Sequence, residues 1–344
     1  MTTIALLHLR PKGSRARATA SKCKCLIINI YSFVNLDISG LLENCNTLII
    51  NPLWIYRDFD AVALGVEQSR AYSLYLCGHK LWYHTLMNKY SLRFTLLSTQ
   101  DLGAGNYLLK LHLPEGAGSF PAMSAGQFIQ VAVPGGLVLL RRPISICNVY
   151  PDRRELWLLI GRVGKGTSIL TGLPDGTVLH LLLPLGNTFT TEGAKRPLLV
   201  GGGVGIAPML FLARTFAEQG IRPTIILGGR TAAHIVLREE FQALGDVYYT
   251  TDNGELGILG RVTDHPILSE GTFDRIFTCG PKVMMLAVAR VAEARGIDCE
   301  VSLENSMACG IGACLCCVED LEGRGNTCVC TEGPVFNSKL VKKD

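Results

Sequence analysis

Three patterns of apolar and polar positions succeed one another along the chain. From Tyr90 to about Phe189, short runs of aliphatic, β-branched and aromatic residues are broken by Gly, Pro, Asp or Ser. They predict strands at Tyr90–Leu97, Tyr107–Leu113, Gln127–Val133, Ile144–Val149, Glu155–Ile160 and Thr177–Leu183. Short strands at this spacing suggest a small antiparallel barrel. From about Pro197 strands alternate with helices. Leu198–Val200, Thr224–Leu227, Val247–Thr251 and Arg275–Thr278 read as strands, with helices at about Pro208–Gln219, His234–Leu244 and Pro281–Arg295. In the last helix Val283, Leu286, Ala287 and Val291 share one face. This alternation implies a parallel sheet covered on both faces. From Ser302 a cysteine-rich tail follows.

The expected architecture is therefore multi-domain, β plus α/β. An antiparallel barrel spans residues 87–192, a parallel-sheet nucleotide-binding domain spans 193–301, and a small metal-binding domain spans 302–344. Residues 1–86 show no clean period and no motif. As far as Val34 they carry Arg10, Lys12, Arg15, Arg17, Lys22 and Lys24 with no acidic residue. Composition there resembles a transit peptide. A targeting extension, a small accessory domain and translated upstream sequence before a start at Met87 are all open. The abrupt onset of order at Met87-Asn88-Lys89-Tyr90 favours the last.

Composition changes this picture in one respect. With 48% hydrophobic and 18% charged residues, the 344-residue chain can bury a core, and a net charge of +4 gives no reason to invoke nucleic acid or an anionic membrane. Apolar runs such as Val283–Ala289 are too short to span a bilayer. The 13 cysteines are the informative count: the number is odd and six lie between Cys309 and Cys330. Without a secretory signal, that clustering argues for a metal site in a reducing compartment rather than a disulfide framework, and the cytoplasm is the expected location.

Cys309, Cys314 and Cys317 have the C-x4-C-x2-C spacing of plant-type [2Fe-2S] sites, with further cysteines downstream. Each iron is tetrahedral and shares two sulfides, so the chain must supply two thiolates per iron. Gly310 and Gly312 allow a tight bend and let backbone N–H groups face sulfur. We assign Cys309 and Cys314 to one iron, and Cys317 and Cys330 to the other, although spacing alone leaves Cys328 as a fourth ligand. Cys316, adjacent to Cys317, should point away. Structural zinc on Cys314, Cys317, Cys328 and Cys330 leaves Cys309 and both glycines unexplained. A set of buried free thiols is hard to sustain at this density.

In the barrel, Arg141-Arg142-Pro143-Ile144-Ser145 begins a strand. Arg142 can fork onto a pyrophosphate, and Ser145 can reach a flavin ring over the strand's edge. Gly161-Arg-Val-Gly164-Lys-Gly166-Thr167 opens a helix, whose free N–H groups and Thr167 hydroxyl suit the other phosphate. Each piece is common in isolation. Together, ahead of a nucleotide-type domain, they point to flavin.

Gly201-Gly202-Gly203-Val204-Gly205-Ile206-Ala207-Pro208 follows a strand and opens a helix, the context a dinucleotide turn requires, although Pro208 replaces the final glycine. Cys279-Gly280-Pro281 ends a later strand where open α/β sheets bind ligands. The Cys279 thiol can line a nicotinamide pocket, or equally be a small buried residue. Arg230 can favour a 2′-phosphate or be a solvated turn residue. His180, His234 and His265 are isolated, and no Ser-His-Asp set or carboxylate pair suggests hydrolysis.

The order of these motifs resembles the ferredoxin–NADP reductase superfamily. The tail Ser302-Leu-Glu-Asn-Ser-Met-Ala-Cys309-Gly-Ile-Gly-Ala-Cys314-x-x-Cys317, closing in Cys330-Thr-Glu-Gly-Pro-Val-Phe336, is similar to electron transfer subunits of type B dihydroorotate dehydrogenase. The resemblance runs from about Met87 to Phe336. It implies Cys330 rather than Cys328 as the fourth ligand. It implies one [2Fe-2S] cluster and one FAD per subunit, with FAD contacts at Arg142, Pro143, Ile144, Ser145, Leu159, Ile160, Gly161, Gly166 and Thr167. NAD enters as a diffusible substrate at Gly201, Gly202, Gly203, Gly205, Cys279, Gly280 and Pro281. The implied partner is an FMN-containing catalytic subunit that oxidises dihydroorotate in pyrimidine synthesis, two of each subunit forming a heterotetramer. Two features depart from the family: an aromatic–Arg pair is often found where this chain has Ile160-Gly161, and residues 1–86 have no counterpart. Reductase subunits of transhydrogenase, sulfide dehydrogenase or hydrogenase type compete with this reading. Some of them replace the first cluster cysteine by Asp, where this chain keeps Cys309. A non-catalytic redox sensor would leave a complete nucleotide domain without purpose.

Overall fold

The computed structural model describes residues 89–136 and 138–342 with their side chains; among the first 82 residues it describes the backbone of five short strands alone. These are β1 (Ile4–Leu9), β2 (Cys25–Ile30), β3 (Leu48–Pro52), β4 (Ser73–Leu76) and β5 (His79–Trp82). They pair in sequence order, parallel as far as β4 and antiparallel between β4 and β5. The expectation of a start at Met87, with a poorly ordered stretch before it, falls largely outside the described residues.

From Tyr90 the alternation of small turns and apolar runs folds as expected into a closed six-stranded barrel. Its strands are β6 (Tyr90–Gly103), β7 (Asn106–His112), β8 (Phe128–Val131), β9 (Arg142–Tyr150), β10 (Glu155–Gly161) and β11 (Val178–Leu185), in the order β10-β7-β6-β11-β8-β9. Inward positions fill the lumen: Leu96, Leu109, Leu111, Ile129, Ile146, Leu158 and Leu181 are completely buried. Antiparallel pairing sets Leu156, Leu158 and Ile160 opposite Leu111, Leu109 and Tyr107. Closure leaves no free sheet edge to attract other chains.

The second half is a seven-stranded sheet ordered β15-β14-β13-β12-β16-β17-β20. Its strands are β12 (Pro197–Gly202), β13 (Thr224–Gly229), β14 (Asp246–Thr251), β15 (Ile258–Leu259), β16 (Arg275–Cys279), β17 (Asp298–Ser302) and β20 (Val335–Asn337). All pairings are parallel except β17 with β20. The first of these strands to be made, β12, lies in the middle, and the order runs away from it on both sides. The crevice between the carboxyl ends of β12 and β16 is thus the switch point where such sheets bind ligands.

Two details depart from the sequence pattern. The helix Lys282–Ala294 buries Met285, Leu286, Val288, Ala289 and Ala292, while Val283 is 77% exposed. The buried face is rotated from the expected Val283–Leu286–Ala287–Val291 stripe because the helix docks across β16 and β17, and its first turn overhangs the sheet's end. The helix expected at His234–Leu244 is split: a short 3₁₀ turn at Ala232–His234 is followed by Arg238–Leu244, with Leu237 left-handed between them.

The cysteine-rich tail does not stand apart from the sheet. It folds as a hairpin, β18 (Val318–Leu321) with β19 (Gly325–Cys328), then returns β20 to the sheet edge. Its apolar side merges with a core holding Phe128, Leu185, Met307, Cys317, Val329 and Cys330. The tail therefore packs on the outer face of the barrel strands β8 and β11. Asn187 holds it there. Its side-chain amide donates to the carbonyls of Glu332 (2.9 Å) and Val335 (2.8 Å), and its Oδ1 accepts from the Val335 N–H (2.9 Å).

Candidate redox site

The tail loop is built to present sulfur. Gly310 and Gly312 take φ of +72° and +80°, conformations that favour glycine, and so turn successive N–H groups inward. Cys309 Sγ accepts from the N–H groups of Ile311 (3.4 Å), Ala313 (3.3 Å) and Cys314 (3.4 Å). Gly312 N–H donates to Cys330 Sγ (3.1 Å), Cys330 N–H to Cys317 Sγ (3.4 Å), and Cys316 N–H to Cys314 Sγ (3.5 Å). Six backbone donors thus aim at four sulfurs.

The thiols also meet one another: Cys314 with Cys309, Cys309 with Cys330, and Cys330 with Cys317. They titrate as a set. Hydrogen bonds from the Cys330 thiol hold Cys309 ionised, lowered to about 4, and Cys317 at about 6, while Cys330 is correspondingly driven up as the shared donor. Thiolates are the form that binds iron. Cys328 stays outside this chain of contacts, and burial raises its thiol. Among the described residues no three ligand side chains close around a single ion. The four thiols joined in this chain of contacts match the number of thiolates that a two-iron centre requires. Cys316 is exposed. Cys314 and Leu315 are exposed at the loop's tip.

The flavin motifs converge across the barrel rim. A Cβ on Gly166 would lie 2.3 Å from Arg142 Nε, so the guanidinium stem runs directly over the Gly164–Thr167 turn. Arg142, Pro143, Ile144 and Ser145 are all half-buried along β9. Thr167 is already engaged, its Oγ1 accepting from Val163 and Gly164 N–H (3.1 Å each), so it braces the loop rather than offering a free hydroxyl. Leu159 and Ile160 are barrel core, and Gly161 abuts Val204 of the glycine turn. Arg162 stacks over Tyr107 (4.2 Å to the ring centre) and donates to Thr171 Oγ1 (3.0 Å), which fastens it to the barrel.

At the switch point the two strand ends meet backbone to backbone. A Cβ on Gly205 would be 2.5 Å from Cys279 O and from Gly280 N and Cα; one on Gly202 would be 2.5 Å from Met284 Sδ. Gly201 packs on Ile206, Gly203 has φ +56°, and Pro281 precedes the helix Lys282–Ala294. The Cys279 thiol is pushed up to about 12, mainly by burial and then by the charge of Glu304. Glu304 reaches solvent at one edge, yet the protein around it displaces enough water to raise its carboxyl. A neutral thiol facing a carboxyl at this crevice was not legible from sequence, because Glu304 belongs to the tail and Cys279 to the sheet. Arg230, considered above as a phosphate ligand, is bonded to His234 Nε2 (2.9 Å). His265 caps the helix Pro266–Glu270 by accepting from Ile267 N–H.

Residues 304–342 match the family model of the iron–sulfur cluster binding domain of dihydroorotate dehydrogenase B, and residues 199–290 match the oxidoreductase NAD-binding domain. The NAD(+)-type dihydroorotate dehydrogenase B electron transfer subunit of Shouchella clausii is 37% identical over 258 residues, 73% of this chain and 97% of the relative. The chain belongs to the family of dihydroorotate dehydrogenase B electron transfer subunits. The family's Bacillus caldolyticus subunit is 38% identical over 219 residues, covering 62% of this chain and 84% of the relative. In fold, a chain of the NADH-dependent reduced ferredoxin-NADP oxidoreductase, an enzyme studied for flavin-based electron bifurcation, superposes with TM-score 0.66 at 28% identity, covering 73% of this chain and 90% of its own. Family membership accounts for the barrel, the sheet and the sulfur-rich tail in one chain. Among the described residues no helix is long and apolar enough to cross a membrane.

Proposed function

We propose that this chain is the electron transfer subunit of an NAD+-linked dihydroorotate dehydrogenase, holding one FAD and one [2Fe-2S] cluster and coupling dihydroorotate oxidation in a catalytic partner subunit to NAD+ reduction. The observation that carries the reading is the convergence of Cys309, Cys314, Cys317 and Cys330 under six N–H donors, on the outer face of the barrel that bears the flavin motifs.

Cys309 with Cys314, and Cys317 with Cys330, would each hold one iron. The contact order Cys314–Cys309–Cys330–Cys317 supports that pairing. Arg142 and the Gly164–Thr167 turn would take the FAD pyrophosphate, with Pro143, Ile144 and Ser145 along the ring and Leu159–Gly161 beneath it. Gly201, Gly202, Gly203 and Gly205 would admit the NAD pyrophosphate, and Cys279-Gly280-Pro281 would flank the nicotinamide. A bound flavin supplies the conversion between single electrons and the electron pair of a hydride. The protein's share is geometry: it brings the sulfur loop, the barrel rim and the sheet crevice together and keeps the Cys279 thiol neutral beside the crevice.

The exposed tip at Cys314 and Leu315 gives a partner an approach to the sulfurs. A partner carrying FMN, two copies of each subunit and a cytoplasmic setting complete the reading. The test is reconstitution: the purified chain, loaded with iron, sulfide and FAD, is mixed with the candidate catalytic subunit. Dihydroorotate-dependent NAD+ reduction is expected, from a complex whose mass matches two of each. Turnover with a different donor alone would move the chain to the reductases of transhydrogenase type, which the fold match to the NADH-dependent ferredoxin-NADP enzyme also accommodates.

A further inference from the structure

Gln130 is a primary amide in a place built for hydrocarbon. It lies in the middle of the short strand β8 and is completely buried, yet neither its Nε2 nor its Oε1 has a hydrogen-bond partner among the protein's atoms. Its cross-strand neighbours offer none: it sits opposite Pro143 on one side and Leu182 on the other. A fully buried amide with both ends unmatched is strongly disfavoured, so such a group is expected where a ligand completes it.

Strand alternation says which way the amide faces. Ile129 and Val131 fill the barrel core, so Phe128 and Gln130 leave on the outer face. Phe128 joins the core that contains Cys317, Cys330 and Met307. The sulfur loop lies directly on Gln130: a Cβ on Gly310 would be 2.8 Å from Gln130 Cγ and 3.1 Å from its Nε2. The nearest loop residue can therefore only be glycine, and the amide's donor end is at the residue next to Cys309. On its other side the same side chain shares a register position with Pro143 of the flavin motif.

We propose that Gln130 is a positioning residue for the iron–sulfur centre, its Nε2 donating an N–H to an inorganic sulfide of the bound cluster beside the Cys309–Gly310 turn. It would be a seventh donor, supplied from the barrel and not from the loop. A hydrogen bond to sulfur stabilises the reduced, more negative form, so Gln130 raises the centre's reduction potential and ties the loop to the flavin-bearing strand. The inference rests on the cluster assignment under the proposed function.

The experiment is Gln130→Met in the full-length, cluster-loaded protein, with a potentiometric EPR titration as readout. Methionine keeps the length and removes both polar atoms. The midpoint of the cluster is expected to fall and that of FAD to stay in place. In parallel, wild-type protein labelled with 15N at glutamine side-chain amides is examined by pulsed EPR of the reduced cluster. A 15N coupling with an exchangeable proton is expected; this measurement needs no variant and stands even where Gln130→Met fails to load. An unchanged cluster midpoint in Gln130→Met, a shift confined to FAD, or an absent 15N coupling in wild type would each overturn the proposal. Wild-type protein that binds no cluster is a different outcome, and it overturns the functional reading instead.

Discussion

The sulfur loop and the nucleotide crevice both depend on glycine, for different physical reasons. In the loop, Gly310 and Gly312 have positive φ and turn N–H groups toward sulfur. In the crevice, Gly202 and Gly205 have ordinary dihedrals, with φ of −141° and −64°, and what they lack is room. Conformation constrains the loop glycines, with close neighbours adding to it at Gly310 and Gly312, whereas at Gly202 and Gly205 space alone is the constraint. Three of the four sulfurs are consequently set by one short run, Cys309–Cys317, and only Cys330 comes from beyond the hairpin. The crevice exists only once strands β12 and β16, separated by three other strands in sequence, lie side by side.

This difference predicts how each region fails. In the loop, the first casualty should be the metal. Cys314→Ser swaps a soft thiolate for a poor iron ligand. Dihydroorotate-dependent NAD+ reduction in the reconstituted complex should fall by at least about 100-fold, beyond the loss typical of outer-shell changes. Oxidation of NADH by artificial dyes should persist, because the barrel and sheet are untouched. Wild-type coupled turnover in this variant would remove the loop from the electron path.

In the crevice the expected casualty is nucleotide affinity. Gly205→Ala places a methyl group 2.5 Å from three backbone atoms of Cys279 and Gly280. Backbone cannot swing aside as a side chain can, so the strand ends must part. Overpacking of this kind costs about 1–3 kcal/mol. The KM for NADH should rise about tenfold, with absorption by the cluster unchanged. An unaltered KM would mean that the space between the strand ends is not used by the nucleotide.

Gly166→Ala is an intermediate case that sharpens the contrast. The clash is again severe, 2.3 Å to Arg142 Nε, but the obstacle is a flexible side chain. The fold should tolerate it, with loss of under about 1 kcal/mol, while Arg142 is turned off its turn. The Kd for FAD, measured by fluorescence, should rise several-fold. A variant that binds FAD as tightly as wild type would free Arg142 from the pyrophosphate assignment.

The same distinction governs what could be read from sequence. All six barrel strands and the β12–glycine–helix unit were legible, because alternation and turn residues are local signals. So was the gathering of Cys309, Cys314 and Cys317 into one loop, since their spacing is itself a local signal. Choosing between Cys328 and Cys330 was not a matter of spacing. The helix Val329–Glu332 buries Cys330 and leaves Cys328 half-exposed, a difference that no local spacing encodes. Gln130, Asn187 and Glu304 gave no local signal: each is an ordinary polar residue until a segment distant in sequence is packed against it. The Val283 stripe failed for the same reason, since periodicity finds an apolar face but not which neighbour will cover it.

The smallest effect is expected at a second orphaned polar group, and it tests whether such groups near the crevice are functional by default. Thr278 is completely buried on β16 with its Oγ1 unpartnered. Its register neighbours are Val200 on β12 and Val301 on β17, so the hydroxyl interrupts a row of valines. Alternation sends it to the face opposite the Cys279 thiol, away from the crevice. Unlike Gln130, it has no cofactor loop resting on it. Thr278→Val should therefore relieve an unmatched group and stabilise the protein by about 1 kcal/mol. That corresponds to a rise in Tm of about 3 °C for a unit of this size, with the KM for NADH unchanged. Destabilisation, or a raised KM, would show that the hydroxyl has a bound partner after all and that burial without a protein partner marks ligand contacts on both faces of the sheet.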